Sequence, residues 1–136
     1  MPQESIFAPM GVLALVTFIV LGNIPLRRFA AARAGRVSAK DFRFGESASV
    51  PGDVSIPNRN YMNLLELPVL FYVACLMYFV SQQVDQTVMV VTWAYVALRA
   101  VHSAIHITYN NVMHRLTVFA ISNVVLMGFW ALFFIR

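Results

Sequence analysis

Arg59, Asn63 and Glu66 follow one another at steps of four and three residues, at the threshold of the apolar run Leu64 to Val80. At helical spacing the three occupy one face. A second polar set, Arg99, His102 and His106, is spaced by three and four inside the apolar stretch Val88 to Ile107 and also shares a face. A charged side chain within a bilayer costs about 2.5 to 3.5 kcal/mol on insertion scales, so such sets are rarely incidental. Two or three of these groups would serve as helix glue, one buried ion pair with interhelical hydrogen bonds. Six or seven, counting Arg115 further on, exceed that need, and the excess is cationic. A partly dry pocket of this kind suits an anionic, water-soluble ligand.

The elements that position these residues follow from composition. The chain has 136 residues, 60% hydrophobic and 12% charged, with mean hydropathy +0.70, and a soluble domain carries about 25% charged residues. Four apolar runs approach the roughly 20 residues needed to cross about 30 Å of hydrocarbon. They are apolar at nearly every position rather than alternating, so helices are expected and a β-barrel is not. The expected architecture is an all-α membrane protein, a single four-helix transmembrane domain over residues 1–136. Its helices run over about 6–33, 60–81, 87–109 and 115–135, with a connecting loop over about 35–58. Pro57-Asn58 offers a turn and cap before the second helix, and Pro68 a kink within it.

Formal net charge is +4, and its distribution sets topology. Arg27, Arg28, Arg33, Arg36, Lys40, Arg43 and Arg59 all fall between the first two runs. By the positive-inside rule that connection is cytoplasmic and both termini are non-cytoplasmic. The first run lacks a basic n-region and a cleavage site and reads as a retained helix, not a signal. The basic set lacks interleaved aromatics, so membrane lipids, not nucleic acid, are its expected partner.

Helix two enters from the basic side, placing Glu66 about 9 Å inside, while His106, His102 and Arg99 lie about 4, 10 and 15 Å deep on helix three. The stripes therefore overlap, and a Glu66–Arg99 ion pair is expected to neutralise both charges. Arg115 at the start of helix four closes the pocket mouth. Tyr109 lies at the same end, whereas the other tyrosines and tryptophans read as belt or packing residues. His102 and His106 have ligand spacing but no accompanying carboxylate or thiol on their helix, so no metal site is expected. Cys75 is a lone packing residue.

The run Arg59-x3-Asn63-x2-Glu66 resembles the second-helix signature of the MAPEG family, the membrane-associated proteins in eicosanoid and glutathione metabolism. Arg99-x2-His102-x3-His106-x8-Arg115 resembles that family's third-helix stripe and the arginine opening its fourth helix. Ala32-Arg33-Ala34-Gly35-Arg36-Val37-Ser38 is similar to the basic exit of the first helix in leukotriene-forming members. The resemblance, to a bacterial-type member, implies a homotrimer in the inner membrane with glutathione as co-substrate between neighbouring subunits. Arg59, Asn63 and Glu66 would hold the tripeptide's carboxylates and amino group, and Arg99 would pair with Glu66 or the ligand. His102, His106 and Tyr109 would line the same site, and Arg33 or Arg36 would add charge. Arg115 would stabilise the thiolate as the catalytic residue. Eicosanoid-forming members often have a tyrosine seven residues after the third-helix arginine, where this chain has His106, with Tyr109 three residues on.

The implied function is a glutathione-dependent transferase or peroxidase acting on lipophilic electrophiles or lipid hydroperoxides. A noncatalytic MAPEG-like protein that binds lipid or a protein partner is the alternative. A small multidrug transporter is a third reading, although that class usually carries its glutamate in the first helix.

Overall fold

The computed structural model describes residues 1–136. A short 3-10 helix, Gln3–Ile6, leads into α1, Phe7–Arg33; α2 is Gly52–Leu65, α3 Pro68–Val80, α4 Gln86–Ile107 and α5 Val112–Ile135. These make four helical spans long and apolar enough to cross a membrane, because α2 and α3 follow one another as a single span, Gly52–Val80. The protein is thus a multi-pass integral membrane protein built as a four-helix bundle. α1 packs chiefly on α2, and α4 on α5.

Each helix end has a local cause. α1 runs through Pro25 and stops at Gly35, whose φ of +73° only glycine adopts freely. The Gly35 and Arg36 N–H groups then turn back to the Ala32 and Ala31 carbonyls at 3.1 and 2.9 Å, the C-terminal motif that satisfies last-turn acceptors. Asp85 caps α4 by accepting the Val88 N–H at 2.9 Å, and Asn111 caps α5 by accepting the His114 N–H at 3.1 Å.

The second span corrects two expectations. It starts at Gly52 rather than near Asn60, so the connection covers 34–51 and Pro57 lies inside α2. A proline six residues into a helix leaves the carbonyl four residues back without its donor. That carbonyl, Asp53 O, accepts instead from Arg27 Nη1 at 2.9 Å, and Arg27 Nη2 donates to Ile107 O at 2.9 Å. One guanidinium thereby ties α1 to the start of α2 and the end of α4. At Pro68 the helix does not merely kink. It breaks at Glu66, φ −82° and ψ −98°, and restarts with Pro68 in the first turn of α3.

The apolar core runs through all four spans and includes Leu13, Val20, Leu64, Phe71, Tyr78, Val88, Tyr95 and Phe129. Tyr78 and Phe129 stack at 4.7 Å, and the Tyr78 hydroxyl donates to Phe129 O at 2.9 Å. The connection is ordered by Asp41, which accepts from the Ser38 N–H at 2.9 Å and from the Ser47 and Ser49 hydroxyls at 3.2 and 2.8 Å. Those bonds, the Ser38 N–H first, hold its carboxyl below the ordinary range.

Candidate functional site

The break between α2 and α3 creates the site's first feature. Where a helix ends inside a bundle its last carbonyls need donors. Met62 O accepts from the Glu66 N–H at 3.1 Å, and Asn63 O accepts from Arg99 Nη2 at 3.2 Å. Arg99 is 0% exposed and sits as a cation at the negative end of α2. The expected Glu66–Arg99 ion pair is therefore not formed. The three ion pairs, Arg28–Glu46, Arg36–Asp53 and Arg136–Asp85, involve neither residue. The reason is directional: after the break Glu66 points outward and is exposed, while Arg99 faces inward from α4.

Beside Arg99 a cavity of about 310 Å³ opens among α2, α4 and α5, lined by Arg59, Asn63, His102, His106, Val112, Arg115, Leu116 and Phe119. This volume falls within the range of about 300 to 1,000 Å³ usual for small-molecule sites. Two arginines and two histidines line it without a carboxylate. The structure so brings together Arg59, Asn63, His102, His106 and Arg115, with Arg99 behind the wall, its guanidinium 5.7 Å from the Phe119 ring centroid.

Several buried polar atoms here lack partners: Arg99 Nε and Nη1, His102 Nδ1 and His106 Nδ1. Unpaired buried donors are costly, and an anion supplying acceptors would relieve that cost. The unpaired guanidinium N–H groups suit an anionic ligand that brings acceptors. Arg115 Nη1 donates to Asn110 Oδ1 at 2.7 Å, which steadies its stem at the rim.

Other expected residues lie elsewhere. Tyr109 is exposed and contacts His114 Nδ1 through its hydroxyl at 3.1 Å. Arg36 is held by Asp53 at 3.0 and 2.6 Å and lines a different cavity with Arg27. Arg33 is exposed in the last turn of α1. Within one subunit, then, Arg33, Arg36, Glu66 and Tyr109 do not line the cationic cavity.

Three contributors were not read from the sequence. Asn60 Nδ2 donates to Ser103 O at 3.4 Å and Ser103 Oγ to Asn60 Oδ1 at 3.1 Å, a buried reciprocal pair fixing α2 against α4. Ser103, four residues after Arg99, extends the α4 stripe, and that spacing was the available signal. Arg27 gave none, because its carbonyl acceptors carry no side-chain pattern.

The family model described as the MAPEG family matches residues 6–135. The chain belongs to the MAPEG family. A match over this span takes in all four helices of the MAPEG bundle and every residue of the cavity. No curated protein and no solved structure matches this MAPEG chain.

Proposed function

We propose that the protein is a glutathione-dependent transferase or peroxidase acting on lipophilic electrophiles or lipid hydroperoxides. The observation that carries this reading is the carboxylate-free cavity with Arg59, Asn63, His102, His106 and Arg115 on its walls. In this reading Arg59 and Asn63 bind carboxylate and amide groups of the tripeptide, and the histidines close its sides. Arg115 sits beside the sulfur, where a cation favours thiolate over thiol. The sulfur then bonds to an electrophilic carbon of a substrate arriving from the bilayer, as that carbon's leaving group departs.

The working unit is a homotrimer in the bacterial inner membrane, with both termini on the non-cytoplasmic side. Support comes from Glu66, exposed within its span and in no ion pair within its own chain. A carboxylate so deep is costly facing hydrocarbon. A neighbouring subunit's Arg33, or the ligand's amino group, would neutralise it, which puts the ligand at a subunit boundary.

Titrating detergent-purified protein with glutathione, followed by thiolate absorbance and calorimetry, tests the reading. Saturable binding with proton release, lost in Arg115→Ala, supports it. No binding at millimolar glutathione leaves the noncatalytic reading, which the occupation of Arg115 by Asn110 favours.

A further inference from the structure

A cavity of about 690 Å³ runs along the outer side of α1, walled by Phe18, Leu21, Gly22 and Phe29 and roofed at the basic end by residues of Val37–Phe42. From Phe18 to Phe29 the helix rises about 16 Å, roughly one leaflet of hydrocarbon. Its lining carries a single charged group, Arg28, at the roofed end. Arg28 pairs with Glu46 through Nη2 at 3.1 Å, and its guanidinium lies 4.4 Å from the Phe42 ring centroid. Its Nε is buried without a partner.

The charge pattern of the roof identifies the occupant. Every acid of this region is engaged internally: Asp41 by three serines, Glu46 by Arg28, Asp53 by Arg36. Lys40 and Arg43 are exposed and make no ion pair. Phe44, 91% exposed, stands beside Arg43, 5.1 Å from its guanidinium. An exposed aromatic next to unpaired cations belongs at a headgroup boundary. A second copy in the same membrane orientation presents the same roof cations at this level, and its unpaired exposed carboxylate, Glu66, lies further along its span from the basic connection.

We propose that the groove holds one anionic phospholipid. An acyl chain lies along Phe18 to Phe29, and the phosphate sits at the roofed end beside Arg28, next to the exposed Lys40 and Arg43. The site is separate from the cationic cavity and does not depend on the glutathione reading.

The test is native mass spectrometry of the delipidated full chain in detergent, titrated with phosphatidylglycerol and phosphatidylcholine of identical chains. The expected result is one phosphatidylglycerol per chain, bound at least ten-fold tighter than phosphatidylcholine. Lys40→Ala/Arg43→Ala should weaken it about thirty-fold, the surface attraction of two cations. Gly22→Phe grows into open space, since a Cβ there meets nothing within 4 Å, and should reduce binding of both lipids. Equal affinity for the two lipids overturns the proposal, as does binding untouched by both variants. Displacement by inorganic phosphate alone would show a headgroup site without a chain in the groove. A wild-type oligomer that takes no lipid and separates in Gly22→Phe would make the groove an interface between copies.

Discussion

Replacing Arg27 by alanine removes two hydrogen bonds from one guanidinium, to Asp53 O and Ile107 O, both at 2.9 Å. Bonds from a charged donor contribute about 1.5 to 3 kcal/mol each, and partial exposure of this pair reduces the sum to about 2 kcal/mol. The distinctive consequence lies in Pro57. Asp53 O is free for Arg27 because residue 57 has no N–H to give it, so Pro57→Ala supplies an internal donor. Pro57→Ala should therefore stabilise the Arg27→Ala background by about 1 kcal/mol more than it stabilises the wild type. Reversible unfolding in mixed micelles of the four proteins, followed by circular dichroism, measures that coupling while cancelling the packing lost at Pro57 and its helix propensity. A coupling below about 0.3 kcal/mol would refute the account of Arg27 as the surrogate donor. Amide exchange should locate the loss of protection in Arg27→Ala at the start of α2 and the end of α4.

Pro68→Ala restores an N–H to the broken span, lets α2 continue into α3 and returns Asn63 O to the Leu67 N–H. Arg99 then loses its acceptor, so glutathione affinity should fall several-fold in calorimetry with little change in melting temperature; unchanged affinity counts against the break as a site feature. The Asn60–Ser103 pair should show a double-mutant coupling of about 0.6 kcal/mol, typical of hydrogen bonds between membrane helices, and additive alanine variants would deny it. Asp85→Ala removes a helix cap and should cost about 1 kcal/mol by denaturant titration. The Val88 N–H first, then Arg136, hold the Asp85 carboxyl below its ordinary 3.8. Its contribution is therefore complete above that value and is lost as pH falls through the lower folded one. Asp85→Asn keeps a capping oxygen and should flatten this acid limb; a limb identical to wild type would remove Asp85 as its source.

The four spans were legible because hydrocarbon imposes one demand, length with little charge, and the runs meet it at nearly every position. The start of α2 was not, since Gly52, Pro57 and scattered polar residues give no period. That segment is helical because Arg27 and the Ala31, Val37 and Val54 cluster hold it from outside. Membership of the cationic cavity was legible for Arg59, Asn63, His102, His106 and Arg115, whose spacing on separate helices survives any rotation that keeps the stripes inward. The Glu66–Arg99 pair was misjudged for a physical reason. The spacing rule that puts Glu66 on the Arg59 face holds only while the helix is continuous, and Pro68 breaks it at that residue. Proline thus exchanges one interaction for another: the α2 carbonyl it exposes takes Arg99, and the carboxylate it turns outward is left for a partner beyond the chain. That division leaves Arg99 and Glu66 each without an ion-pair partner within the chain. In the proposed homotrimer, copies and ligand together would balance these charges, so the pocket's chemistry and the assembly of subunits are expected to rise and fall as one.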